Sequence, residues 1–290
     1  MLNCRRIASV VFVVYSVGVS AAPPTIKQIE TEWATLRAKC KDLRIDLAMN
    51  ELQKAKMLPE DFPPEDLRWK SHRTLWFSGT KFRCEEFKDP AEPFRKRAIR
   101  IQTKEKTITF DGDGSIINRP EGGDHYGSLD RKTDEPIGNH AVLIPISYLW
   151  RSGLLEGAAE PTRKGDRLLV VKKRDYWVEE IELEATPPYA FAGIHMRARG
   201  LRVLDCPVTA IETRNGVRVP TAWKCDSYRE AMTKQGPYFW GASVKLTGLE
   251  TKAIDQKTFE FKFPPKTYVY DQLSGKQYFV RDDGSREDRK

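Results

Sequence analysis

The residues 205–226, DCPVTAIETRNGVRVPTAWKCD, set Cys206 and Cys225 at equal distances from Asn215-Gly216. Two cysteines in register across one turn can form a disulfide. The other residues able to do chemistry are scattered. His72, His125, His140 and His195 show no metal-ligand spacing, neither H-E-x-x-H nor paired cysteines. His125 stands in GGDHYG between Asp124 and Tyr126, where a lone loop histidine is usually a solvated side chain. FDGDGS brings Asp111, Asp113 and Ser115 together, but Ile116 and Gly122 occupy the positions where a calcium loop needs glycine and glutamate. Ser78 to Lys81, SGTK, matches S-x-x-K, yet it joins two strand-like runs and lacks the S-D-N and K-T-G partners of a serine acyl enzyme. Glu85-Glu86 and Glu179-Glu180 lie in alternating runs, so the neighbours point to opposite faces and cannot share a substrate. No reaction, metal or cofactor is indicated.

The cysteines need a hairpin. Asn-Gly suits a type I′ turn, which requires positive φ at both central residues. Pairing about that turn sets Cys206 opposite Cys225 and puts Cys206, Val208 and Ala210 on one face with Val217, Val219, Thr221, Trp223 and Cys225. Thr209, Thr213, Arg218 and Lys224 fall on the other, the sorting of a half-buried antiparallel pair. Pro207 and Pro220 take non-hydrogen-bonded sites, where a missing N–H costs that pair nothing. The cysteines take a hydrogen-bonded site with wider Cα spacing, so a bridge calls for a bulge near Pro207. Two buried free thiols are the alternative.

Compartment bears on that choice. MLNCRRIASVVFVVYSVGVSAAP carries Arg5-Arg6, an apolar run from Ile7 to Val19 and small residues Ser20-Ala21-Ala22, the make-up of a secretory signal peptide over residues 1–22. It is short for a membrane span. The formal charge of the whole chain is +8, and loss of Arg5 and Arg6 leaves +6. That balance favours anionic partners, with export setting nucleic acid aside. The mature chain keeps Cys40, Cys84, Cys206 and Cys225. Of the three pairings they allow, Cys206–Cys225 with Cys40–Cys84 is the expected one.

Along the chain, Thr25 and Gln28 form a capping box, and Ile26, Ile29, Trp33, Leu36 and Cys40 make one helical stripe. The period changes to two at Leu43, Ile45, Leu47 and Met49. LPEDFPPED (58–66) reads as a loop, and LRWKSHRTLWF, KFRCEEF, KRAIRIQT and TITFDG as strands, with residues 115–118 continuing the meander. Residues 119–139 read as a surface excursion. HAVLIPISYLWRSGLLEG is the most apolar stretch after the signal, with a helix predicted from near Pro145. Strands resume at Arg167, and residues 281–290 form a charged, frayed tail. FRKRAIR and VKKRDYW are basic strand segments that read as solvated faces. The expected fold is α+β: a strongly curved antiparallel sheet, an unclosed β-barrel, with an N-terminal helix and a helical lid insert.

FSGTKFRCEEFKDP, KTITFDGDG and TFEFKFPPKTYVYDQLSGKQYFV, set in that order of elements, resemble the glycine-turn hairpins and closing strand segment of exported bacterial proteins distantly related to the periplasmic lipoprotein-carrier (LolA/LolB-like) family, divergent members of that fold superfamily. The resemblance covers roughly residues 25–280 and implies a single half-barrel domain over 23–280. It implies an apolar cavity for acyl chains under a lid at Ala141–Leu155, with Leu143, Ile144, Leu149 and Trp150 on the lid. Trp69, Trp76, Phe82, Val208, Val219 and Trp223 are its candidates on the sheet side. Such a site needs shape and apolar walls but no fixed polar motif. The chain is longer than a minimal carrier and shows no receptor-docking signature. The expectation is an exported, non-enzymatic monomer that binds a lipid or lipoprotein and carries no cofactor. The alternative is an envelope structural or interaction protein with a filled core and a basic surface for an anionic polymer.

Overall fold

The computed structural model describes residues 22–53, 67–87, 97–112, 125–131, 141–228 and 239–289. Residues 1–21 of the expected signal segment, the expected loop at 58–66 and the expected meander at 115–118 lie outside the described residues.

One α-helix, α1 (Ile26–Lys39), opens the domain. Its N-terminus is the expected capping box: Gln28 N–H donates to Thr25 Oγ1 at 3.2 Å, and Thr25 N–H donates to Gln28 Oε1 at 2.7 Å. Ile29, Trp33 and Leu36 form its buried stripe. There follow β1 (Asp42–Gln53), β2 (Leu67–Ser78), β3 (Lys81–Phe87), β4 (Arg97–Gln102), β5 (Lys106–Asp111) and β6 (His125–Arg131). After an apolar 3-10 segment at Ala141–Leu149 come β7 (Thr162–Lys164), β8 (Arg167–Arg174), β9 (Trp177–Glu184) and β10 (Phe191–Ala198). The long hairpin is β11 (Leu201–Arg214) and β12 (Val217–Tyr228), followed by β13 (Phe239–Glu250). A short 3-10 turn at Gln256–Phe259 leads to β14 (Thr267–Asp271), β15 (Lys276–Val280) and β16 (Arg286–Arg289).

All these strands join one unclosed sheet, ordered β16-β15-β14-β6-β5-β4-β3-β2-β1-β13-β12-β11-β10-β9-β8-β7. Neighbours are antiparallel except β14 and β6, which run parallel. The sheet must curve. A single buried cluster takes side chains from every strand between β3 and β8 in that order. Eight strand spacings would span about 38 Å if flat. Tyr148 and Trp150, only two residues apart, stack on Phe191 of β10 and on Phe77 of β2, strands that would be five spacings or about 24 Å apart in a flat sheet.

The opposite face has its own core. Ile99, Ile101, Ile108 and Phe110 point away from the helix and are covered by Ile254, Phe259, Phe261 and Phe263. The C-terminal segment therefore packs on the back of the sheet.

Four expectations change. The insert is a 3-10 segment with Pro145 inside it, not an α-helix starting there. His125–Arg131 is a strand within the expected excursion, paired with β5 on one side and β14 on the other, with the Phe263 ring close against Gly127; residues 113–124 and 132–140 lie outside the described residues. The tail is not wholly frayed, since Arg286–Arg289 pairs with β15. Cys40 and Cys84 are thiols. Cys40 lies two positions before Asp42, whose partner is Ser78, while Cys84 is opposite Leu75. Asp42 itself stands about 10 Å along the strands and two strand spacings from Cys84, and the two thiols are not bonded.

Candidate functional site

The hairpin that frames the site has the expected register. Arg214 faces Val217, Glu212 faces Val219 and Val208 faces Trp223, with irregularities between Val208 and Ile211. Asn215 and Gly216 adopt φ of 49° and 75°, as the type I′ turn requires. Cys206 and Cys225 are bonded, with Cα atoms 4.2 Å apart. That is the close spacing of a non-hydrogen-bonded pair. The irregular stretch lies slightly nearer the turn than the bulge expected at Pro207, and its two irregularities compensate, so the pairing keeps one register on either side.

On the face lined by this bridge lies the apolar segment. Val142, Leu143, Ile146, Tyr148 and Leu149 are at most 1% exposed. Trp223 Nε1 donates to Val142 O at 2.9 Å, and Tyr148 Oη donates to Arg218 O at 2.8 Å. From the helix, Arg37 Nη1 donates to the carbonyls of Tyr148 and Arg151 at 3.3 and 2.8 Å. Farther on, Lys172 Nζ donates to Leu154 O at 2.9 Å. Burial lowers the Lys172 pKa, with Glu179 opposing that effect. Burial also raises the Tyr148 phenol strongly, and the Glu184 carboxylate adds to it; the group stays neutral and can donate.

The candidate residues divide. Leu143, Leu149, Phe82, Val219 and Trp223 share the buried cluster, with Ile144, Trp150 and Val208 packed at its margin. Trp150 stacks on Phe77 at 4.3 Å, and Phe77 meets Phe82 at 4.8 Å. Trp76 does not join them. It lies on the back of the sheet beside Ile99 and Phe110, with the Arg44 and Arg83 guanidinium groups 6.0 and 5.8 Å from its ring. Phe77 holds the inward position, because neighbours on a strand face opposite ways. The Trp69 side chain lies outside the described residues. An aromatic group that sequence reasoning did not assign to the site is Trp33, Tyr148 and Phe191, with centroids 5.3 to 5.6 Å apart. Trp33 was visible on the helical stripe; Phe191 and Tyr148 carried no such signal.

The remaining suspects find separate roles. Ser78 Oγ donates to Asp42 Oδ1 at 2.5 Å, and Lys81 Nζ to Gln256 Oε1 at 2.7 Å, so the S-x-x-K pair does not act as one unit. The His125 side chain and residues 113–124 lie outside the described residues. His195 Nδ1 lies 2.8 Å from Asp205 Oδ1, and Arg202 Nε donates to Asp205 Oδ2 at 2.9 Å. The β10–β11 register makes this contact, and spacing alone did not announce it. Among the described residues, no cluster of three or more His, Cys, Asp or Glu could hold a metal. No helix among them is long and apolar enough to cross a membrane.

No family model matches the chain, and none of the curated proteins does. Among solved structures, it is similar to a LolA superfamily protein from Nitrosomonas europaea, at 10% identity and a TM-score of 0.47 over 82% of this chain and 98% of that one. It is also similar to a DUF1329 family protein from Desulfovibrio piger, at 9% identity and a TM-score of 0.47 over 81% of this chain and 97% of that one. These are likenesses of fold alone.

Proposed function

We propose that the protein, exported behind its N-terminal signal, binds the acyl chain of a lipid or lipidated partner between the curved sheet and residues 141–155. The observation that carries this reading is the nature of the cover. A 3-10 run of nine residues is unusually long for that geometry, whose hydrogen bonds are poorer than those of an α-helix. Its own bonding holds it weakly, and burial against the sheet does most of the work. An acyl chain that displaced Leu143, Ile146 and Leu149 would replace one apolar surface with another, so the exchange keeps most of the hydrophobic stabilisation. No step of this reading involves a reaction or a cofactor.

The test uses a bromine-labelled fatty acid, which quenches indole emission on contact. Trp33, Trp150 and Trp223 all lie around the cover. Saturable quenching at one equivalent, competed by unlabelled fatty acid, is the expected result. No quenching would overturn the reading. A second reading then gains from the near-complete burial of Leu143, Leu149, Val219 and Trp223: these residues are an ordinary filled core, and the protein is an envelope structural or interaction component.

A further inference from the structure

The back of the sheet carries cations that the hairpin and cover do not use. Three cross-strand rows run over β12, β13, β1 and β2. Lys224, Ser243, Asn50 and Lys70 form the central row. Ala222, Lys245, Ala48 and His72 lie on one side of it, and Asp226, Gly241, Leu52 and Arg68 on the other. Arg68, Lys70, Lys224 and Lys245 are all exposed, and among the described residues none has a carboxylate partner. Ser243, Asn50 and Ala48 between Lys224, Lys245 and Lys70 are small, with Leu52 beside Arg68 and the Asp226 carboxylate at the far end of that row.

At one end of these rows is an open groove of about 470 Å³, lined by Asn50, Glu51, Leu52, Arg68, Lys70 and Ser243. A guanidinium, an ammonium, an amide and a hydroxyl there can all donate to a tetrahedral oxyanion. The Glu51 carboxylate does not compete for that space. Its oxygens accept from Ser71 Oγ at 2.5 Å and Trp240 Nε1 at 3.2 Å.

We infer that this face docks on an anionic phospholipid bilayer, with one headgroup phosphate seated in the groove between Arg68 and Lys70. The spread of charge selects a surface over a single free anion. Lys224 and Lys70 are three strand spacings apart, about 14 Å, with Lys245 in the adjoining row. Donors that serve one ion converge, whereas these spread over three strands on the outer face of the curved sheet, where an array of headgroups can meet them. Juxtaposed basic residues gain energy near an anionic leaflet and lose it with salt. The inference goes beyond the acyl-chain reading and does not depend on it, since the two sites lie on opposite faces of the sheet.

The experiment is cosedimentation of the protein with phosphatidylglycerol or phosphatidylcholine vesicles, at low and high salt. Expected is partition onto the anionic vesicles only, falling steeply with salt. The double variant Arg68→Gln/Lys70→Gln should partition roughly 25-fold more weakly, about fivefold for each cation near such a surface. Lys164→Gln/Lys173→Gln removes the same charge from exposed positions on β7 and β8 and should partition like the parent. Both pairs are exposed, and unchanged melting curves verify that each variant folds. Equal loss in the two variants would reduce the effect to net charge and overturn the inference. Binding to soluble dextran sulfate with none to anionic vesicles would overturn it too, in favour of a polymer. Quenching by the brominated fatty acid should be the same in parent and Arg68→Gln/Lys70→Gln, so failure of one site is read separately from failure of the other.

Discussion

The Trp223 indole on β12 donates to the Val142 carbonyl at 2.9 Å, fastening the start of the 3-10 cover to the centre of the long hairpin. Both groups are buried: Trp223 and Val142 are each 1% exposed. Trp223→Phe keeps an aromatic ring but leaves that carbonyl without its donor. An unsatisfied buried acceptor costs about 1–3 kcal/mol. We expect urea unfolding to show a loss of that size. If the cover yields to an acyl chain, the same variant should also take up the brominated fatty acid faster than the parent. Stability unchanged within a few tenths of a kcal/mol would mean that water replaces the indole, and that the cover is held elsewhere.

Elements with a clear period were legible in the sequence. The stripe from Ile26 to Cys40 became α1, and the alternation from Leu43 to Met49 became β1. The Asn215-Gly216 turn gave the hairpin register to within a local irregularity. What escaped was set by tertiary contact. HYGSLDR has no β-branched residue, and its strand depends on β5, β14 and Phe263. Trp76 and Phe77 read alike as apolar strand residues, and only the register shows which one meets the cover. The second core at Ile99 and Phe110 was hidden for a similar reason. A strand pattern gives two faces but does not say that a distant C-terminal segment covers the back one.

Removing the bond between Cys206 and Cys225 should destabilise the hairpin without unfolding it. The bridge closes a separation of 19 residues, and a loop of that size supports a contribution of about 3 kcal/mol. Part of that constraint duplicates the hairpin's own ladder, so the loss for Cys206→Ala/Cys225→Ala should be about 1–3 kcal/mol. Hydrogen exchange should quicken first in residues 204–227 and in the cover, because Cys206 Sγ and Trp223 both contact the cover's carbonyls. Uniform acceleration across β4–β6 would contradict that placement.

Cys40 and Cys84 give a prediction in pH. Burial pushes both thiols from 9.0 up to about 11, opposed for Cys40 by Lys39 and for Cys84 chiefly by Arg73. The folded protein therefore holds these protons more tightly than the unfolded chain. The associated stability is complete below pH 9 and is lost as pH rises from about 9 to about 11. At pH 8 the native protein should react with iodoacetamide far more slowly than the denatured protein, which should label at both positions. Native labelling at the rate of a free thiol would show that the sites are open. Failure to label even after denaturation without reductant would show a Cys40–Cys84 bond.

Gly127 provides the sharpest test of the second core. A Cβ at this position would stand 2.2 Å from Phe263 Cε1 and 2.6 Å from its Cδ1, well inside van der Waals contact. Phe263 is held in turn edge-on to Phe261 at 5.4 Å, and Phe261 meets Phe110 at 5.3 Å. The ring can leave Gly127→Ala only by disturbing that stack, an overpacking cost of about 1–3 kcal/mol. Limited proteolysis should then cut earlier between residues 254 and 266, while protection of α1 and the cover stays as in the parent. The companion change Phe263→Leu, made in the Gly127→Ala background, shortens the side chain and should recover part of the loss. No recovery would mean that the alanine acts through the β6 backbone instead of through the ring, and the C-terminal segment would not depend on this contact.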